Sequence, residues 1–328
     1  MLSYIFELED TGADILAAVV LGTLVKAVGL LFVSRARKQR FVQVGTVSEL
    51  YIYPVKSCGA LTVTKAMCTS VGLSSDGLTD RHWMILDKNK QVITMKEAPS
   101  LTTVTCSAQG DILRLHAPQT RDLDLPMRPK VKGTKVQIKN FEGQNIPMID
   151  CGEEAEKWIS DFVGRPANIF FSCPELGLRD SYERKRKWDN TAREGDVTVF
   201  SYLTSYLISS TASLGHINSQ LDAPVASVNF RPSIVVDNSV PFDEDNWKEL
   251  KIGENVLFHA VEPCRRCIIT TIDPKTGQKR KDMQPLKLLR SFRCREPYGN
   301  SPIYGNYMSN DMSGDVSVGD PVFVIRDD

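Results

Sequence analysis

After residue 44 the hydrophobic and polar positions alternate over short runs broken by turn-forming residues, the pattern of half-buried strands. This pattern predicts strands at residues 44–55, 83–86, 91–94, 101–106 and 112–116, with turns at Gly72, 75–77 and 110–111. A helix is predicted over 151–163, where Ala155, Trp158, Ile159, Phe162 and Val163 recur at helical spacing and Gly164 supplies a stop. A strand follows at 168–171. Beyond 197 the pattern predicts short helices near 206–221 and 285–292 and strands at 232–237, 256–261, 267–272 and 321–325. Segments 251–254 and 317–320 read as hairpin entries. Many short strands with few helices imply a barrel-like, β-rich architecture.

One stretch departs from alternation. Residues 15–33 are almost uniformly apolar, interrupted only at Lys26, and are long enough as a helix to cross a bilayer. A central lysine costs ~2.5–3.5 kcal/mol on insertion, less if it snorkels. The preceding flank is acidic (Glu7, Glu9, Asp10, Asp14) and the following one basic (Arg35, Arg37, Lys38, Arg40). That asymmetry favours an anchor over a cleaved signal peptide and keeps the basic side cytosolic. The predicted organisation is a tail (1–14), a transmembrane anchor (15–33), a basic linker (34–44), a β-rich unit (45–173), a charged connection (174–196) and a second β-rich unit (197–328). The basic run at 184–187 reads either as part of a solvated loop or as a docking patch for an acidic partner or anionic lipid.

Composition narrows the class. The chain has 328 residues, 42% apolar and 24% charged, with 40 Lys plus Arg against 40 Asp plus Glu. Those are globular values, and the absence of basic excess argues against a dedicated nucleic-acid binder. Eight cysteines scattered over this length do not make a disulfide scaffold and read as reduced thiols, most of them in the core. No phosphate-loop, dinucleotide-fold, zincin or hydrolase-elbow motif occurs.

The densest chemistry is at Pro263–Cys264–Arg265–Arg266–Cys267. Two thiols beside two guanidiniums form an electropositive setting that favours thiolate. Three readings stay open on chemistry alone: a redox pair, a zinc site completed by His259 and Cys294, or one thiolate ligand to a cofactor-held metal with the arginines reaching an anionic cofactor. Lys56, Ser57, Arg81 and Arg231 lie near turns and, with Arg265 and Arg266, have the chemistry of a phosphate cradle.

The strings YPVKSC (from Tyr53), DRHWMILD (from Asp80), NFRPSIVV (from Asn229), EPCRRCIITTIDP (from Glu262) and VGDPVFV (from Val318) together resemble the molybdenum-cofactor sulfurase C-terminal (MOSC) family, over roughly residues 45–328. With the N-terminal anchor, the chain is similar to the branch of that family that reduces N-hydroxylated compounds. The resemblance implies an α+β, β-barrel-rich MOSC fold in two β-rich units preceded by a single N-terminal transmembrane helix. It implies a molybdenum–molybdopterin cofactor with Cys267 as the catalytic residue and protein ligand to the metal, and Cys264 as a neighbouring thiol. Lys56, Ser57, Arg81, Thr204, Asn229, Arg231, Arg265, Arg266 and Tyr307 match cofactor-lining positions. It further implies reduction of amidoximes, hydroxylamines and N-hydroxyguanidines, with electrons from NADH through cytochrome b5 reductase and cytochrome b5, at the mitochondrial outer membrane with the catalytic part facing the cytosol. A sulfur- or cofactor-handling protein of the same family, and a zinc-stabilised membrane adaptor, are the alternatives.

Overall fold

The computed structural model describes residues 40–129, 136–139, 145–182, 191–238 and 240–326. The predicted membrane span at 15–33 and the basic run at 184–187 lie outside the described residues. Among the described residues no helix is long and apolar enough to cross a membrane.

Among the described residues seven strands close a barrel: β1 (Val42–Ile52), β2 (Tyr206–Ser210), β3 (Ile234–Asn238), β4 (Trp247–Ile252), β5 (Val256–Arg265), β6 (Ile303–Met312) and β7 (Pro321–Arg326). Around the wall the order is β3-β2-β6-β5-β4-β7-β1, and β1 returns to β3. All pairs are antiparallel except β2 with β3. Alternation along these strands sends Val47, Leu50, Ile208, Ile234, Trp247 and Phe258 into one buried cluster. The closing strand β1 comes from the start of the described chain, whereas every other stave comes from residues 206–326. Its seam is tight: Gly45 faces Asn238, and a Cβ on Gly45 would lie 1.7 Å from the Asp237 carbonyl oxygen.

A second core forms between Trp83–Asp87, Ala167–Phe171, the three-stranded sheet of Thr105–Gln109, Ile112–His116 and Leu123–Pro126, and helix α1 (Glu153–Val163). Helix α1 buries Ala155, Trp158 and Ile159, carries Glu153, Glu154 and Glu156 in its first turn, and ends at Gly164 in the left-handed conformation (φ 71°). Beside the barrel, Lys65–Thr69 pairs with Gly314–Ser317, and Ala66, Cys68 and Val316 from these strands join the barrel core.

Several local expectations are corrected. The predicted strand at 101–106 is a 3₁₀ turn, Pro99–Thr103, followed by the strand Thr105–Gln109. Proline suits the start of a helical turn, and the Thr102 hydroxyl donates to the Pro99 carbonyl. The predicted helix at 206–221 splits into the buried strand β2 and helix α2 (Thr211–Asn218). A five-residue apolar run fits a buried strand as well as a helix, and Ser210 marks the boundary by accepting from the Ser213 amide. The predicted strand at 267–272 is a 3₁₀ turn, Ile268–Thr271, in which the Thr270 and Thr271 hydroxyls donate back to the Cys267 and Ile268 carbonyls. The predicted strand at 91–94 reduces to one bridge between Leu86 and Val92. Part of the charged connection is internal: Arg179–Asp180 pairs with Val197–Thr198, and the buried Arg179 donates to the Ser201 and Tyr202 carbonyls. The short helix predicted near 285–292 is present as α3 (Leu286–Phe292).

Candidate functional site

Chain segments far apart in sequence surround a cavity of about 520 Å³. The exit of β1 leads through Tyr53 and Pro54 to Lys56 and Ser57. Backbone hydrogen bonds zip this turn to the Arg81 turn: Lys56 N to Trp83 O at 2.8 Å, Arg81 N to Tyr53 O at 2.8 Å and Trp83 N to Pro54 O at 3.1 Å. The exit of β5 delivers Arg265, Arg266 and Cys267, and the turn before β3 delivers Arg231. Ser57, Arg81 and Arg231 all have left-handed backbones (φ 74°, 53° and 57°). For residues with a side chain this is strained, and such strain gathers at ligand clamps.

Tyr53 is the shelf of the site. Its buried ring carries the Arg231 guanidinium at 4.1 Å and that of Arg81 at 4.8 Å. Arg81 is ion-paired with Asp80, whose other oxygen accepts from the Tyr53 amide at 2.8 Å. Arg231 has no such carboxylate among the described residues. Burial, reinforced by the like charge of Arg81, pushes its pKa down to about 10, and its Nη2 is covered without a hydrogen-bond partner. Arg266 donates from Nη1 to the Cys264 sulfur at 2.8 Å and from Nη2 to the Phe230 carbonyl at 2.6 Å, while its Nε is covered and unpartnered. Among the described residues the cavity is lined by Lys56, Arg81, Lys96, Arg231, Arg265 and Arg266, against the single carboxylate of Glu97. Asp80 and Glu262 behind the wall offset Arg81 and Arg265, the latter pair at 3.6 Å. Buried guanidinium nitrogens left unsatisfied cost free energy unless an anion reaches them. The wall therefore fits a polyanionic ligand.

The two thiols have different surroundings. Cys264 is buried beneath Arg266, whereas Cys267 is exposed at the cavity, at the head of the 3₁₀ turn. The other cysteines sit away from the cavity lining. Burial pushes the Cys68, Cys106 and Cys151 thiols up to about 12 and that of Cys58 well above the usual thiol value. An accessible sulfur inside a cationic wall, beside a buried second sulfur that accepts from Arg266, is the chemistry of a single soft ligand.

Nine of the ten residues singled out in the sequence line this one cavity: Lys56, Ser57, Arg81, Thr204, Arg231, Arg265, Arg266, Cys267 and Tyr307. The tenth, Asn229, lies behind the wall. Its side-chain amide donates to the Ile272 carbonyl at 3.1 Å and its oxygen accepts from the Ala226 amide at 3.1 Å. It ties the Arg231 turn to the segment after Cys267 without lining the cavity. The four-ligand set His259, Cys264, Cys267 and Cys294 does not assemble: His259 is held by Asp311 at 2.7 Å and Asp196 at 3.0 Å, one carboxylate on each ring nitrogen. Among the described residues no three His, Cys, Asp or Glu side chains form a metal cage. Sequence reading missed the Tyr53 shelf, the Phe230 carbonyl under Arg266 and the 94–97 rim. Tyr53 lies inside a quoted string, but at a strand end a tyrosine reads as core.

Fold and site together define a MOSC-domain protein. The MOSC N-terminal beta barrel domain matches residues 44–166 and the MOSC domain residues 198–323. The chain is 36% identical over 320 residues to mitochondrial amidoxime-reducing component 1 of Mus musculus, covering 94% of this chain and 92% of the relative. It is 36% identical to that component in Homo sapiens (94% and 93% covered) and 37% identical to component 2 of Bos taurus (88% and 85% covered). The chain belongs to the mitochondrial amidoxime-reducing component family.

Proposed function

We propose that this protein is a membrane-anchored molybdenum enzyme that reduces N-hydroxylated compounds, namely amidoximes, hydroxylamines and N-hydroxyguanidines, to the amidine or amine and water. The observation that carries the reading is the exposed Cys267 thiol in a cavity whose Arg231 and Arg266 present covered, unpartnered nitrogens. Those features fit a molybdopterin phosphate and a metal that takes one protein sulfur. When bound, the cofactor supplies two-electron oxygen-atom transfer.

The chain's own residues hold, orient and shield. Cys267 supplies the sulfur ligand. Arg231, Arg266 and Lys56 hold the anionic part, with Arg81 braced by Asp80 as a further cation on the same wall. The bond from Arg266 engages the buried Cys264 thiol and leaves Cys267 as the exposed sulfur that would take the metal. Tyr307, whose hydroxyl burial keeps protonated far above neutral pH, and Tyr202, with ring centroids 6.2 Å apart, form an aromatic wall beside the substrate space. Electrons come from NADH through cytochrome b5 reductase and cytochrome b5. The anchor is residues 15–33, and the enzyme sits on the mitochondrial outer membrane with its catalytic part in the cytosol.

The test is metal and pterin analysis of protein made in a host that synthesises molybdenum cofactor, beside Cys267→Ser, followed by turnover of benzamidoxime. Near-stoichiometric molybdenum with pterin, and a lost or altered metal centre in the variant, is the expected result. Zinc without pterin overturns the reading.

A further inference from the structure

The segment joining the Cys267 turn to β6 is strongly unbalanced in charge, although the whole chain is neutral. Between residues 275 and 295 it holds eight Lys or Arg and one acid, Asp282. Two of these cations are paired locally: Arg280 with Asp282 at 2.7 Å and Arg293 with the half-buried Asp245 at 2.6 Å. Arg295 stands 3.7 Å from the same Asp245. Lys275, Lys281, Lys287 and Arg290 are exposed, and none forms an ion pair with a described residue. Helix α3 explains their direction. Leu286 and Leu289 are buried, so Lys287 and Arg290, three residues apart, share the outward face. Phe292, at the end of the same helix, is 40% exposed and adds an apolar contact among the cations.

The position of this face matters as much as its charge. The segment leaves the cavity wall at Thr270 and rejoins it at Ser301. Between them Lys279 reaches across the rim to the Lys96 carbonyl at 3.0 Å. The segment that carries these cations is therefore held at both ends, and through Lys279, to the wall of the cavity that exposes Cys267. We propose that this face, centred on Lys281, Lys287 and Arg290, is the docking surface for an acidic one-electron donor protein, a proposal that rests on the redox function above. A donor must bring its redox centre to the cavity mouth, and the segment that carries this basic surface begins and ends at the cavity wall. Such encounters use small, polar, charge-steered interfaces, which suits scattered lysines around one exposed aromatic. A membrane surface would also attract these cations, but it has no need to meet the mouth of the cavity.

The experiment compares full-length, cofactor-loaded wild type with the triple variant K281E/K287E/R290E. Three readouts are taken: turnover with NADH, cytochrome b5 reductase and the soluble domain of cytochrome b5; turnover with reduced methyl viologen; and calorimetric binding of that cytochrome b5 domain. The expected result is a fall of about tenfold or more in donor-dependent kcat/KM, the lower range of electrostatic steering, with a flattened salt dependence and weaker calorimetric binding. Turnover with viologen stays unchanged. Equal loss with both reductants, or unchanged binding and turnover with the protein donor, overturns the proposal. So does loss of binding to phosphatidylserine vesicles with donor binding intact, which would make the face a membrane contact. Calorimetry reads docking without turnover. A wild type inactive on every N-hydroxylated compound with viologen would refute the function and still leave docking decided by binding.

Discussion

Replacing Arg231 by Met asks whether the cavity wall is built for an anion or for the fold. The Arg231 guanidinium lies on Tyr53 with Nη2 covered and unpartnered, and burial lowers its pKa from 12.5 to about 10. For a base, a lowered folded pKa means that folding disfavours the charged form. The cost is present in full below the folded value and is relieved as pH rises through it toward the unfolded one. At neutral pH a depression of this size corresponds to about 3 kcal/mol. Methionine keeps much of the apolar stem and, like Arg, carries a side chain on a left-handed backbone, so strain is conserved. It loses the stacking on Tyr53, worth about 1–2 kcal/mol. The net expectation for the free chain is a gain of about 1–2 kcal/mol, or a rise in Tm of roughly 1.5–3 °C at this size.

With the cofactor bound the sign inverts. Truncating one partner of a buried, hydrogen-bonded charge pair costs about 2–5 kcal/mol. Thermal unfolding of wild type and Arg231→Met, each made in hosts with and without molybdenum cofactor synthesis, measures both signs. The variant should melt higher than wild type when free and lower when loaded. A lower Tm in the free variant would refute the reasoning and make Arg231 a packing residue.

Three further outcomes follow from other parts of the molecule. Burial, the largest influence on His259, opposes its protonation, yet Asp196 and Asp311 outweigh it and raise its pKa above 6.5; its stabilisation is full below that value and lost as pH rises through the folded one. His259→Gln should therefore cost about 2–3 kcal/mol at pH 6, below the fully buried range because Asp311 is partly exposed, and less at higher pH, as read by urea unfolding; an equal cost at both pH values would count against the charged imidazole. Gly45→Ala should cost more than about 3 kcal/mol, because its Cβ would collide with backbone at the β1–β3 seam, and an unchanged denaturation midpoint would contradict the closed register. Under brief iodoacetamide treatment of the free chain, peptide mapping should find Cys267 alkylated well before Cys264, Cys58 and Cys106; Cys264 labelled as fast would overturn the assignment of the accessible thiol.

The site was more legible than the path of the chain. Cations and thiols announce themselves by type, and the quoted strings hold seven of the nine singled-out side chains that line the cavity, Thr204 and Tyr307 lying outside them. Asn229 shows the limit: an amide in the same string as Arg231 supports the wall from behind. Period-two alternation located β1 but not its partners, because Gly45 meets Asn238 and Thr46 meets Pro321, pairings that no local pattern encodes. The β-branched run Ile268–Thr271 has strand composition, yet its threonine hydroxyls bond back to the chain and make a turn. That error bears on function, since the turn takes Cys267 out of a ladder and exposes it.

The strain and the charge at this cavity have one common physical explanation. Left-handed backbone at a residue with a side chain costs of order 1 kcal/mol or more each, and glycine would make the same turns freely. Ser57, Arg81 and Arg231 nevertheless carry a hydroxyl and two guanidiniums there, all lining one space. Their backbones are pinned from outside it: Arg81 N bonds to Tyr53 O, and Arg231 N bonds to Val228 O at 3.2 Å. Tyr53 then sets both guanidiniums against one ring, where like charges repel and burial lowers the pKa of Arg231. Each feature costs the fold stability. An anion in the cavity reverses the electrostatic terms together, because it satisfies the open nitrogens of Arg231 and Arg266 and screens Arg231 from Arg81. A preformed cradle of this kind binds without reorganising and gains from the ligand what the fold gave up to assemble it.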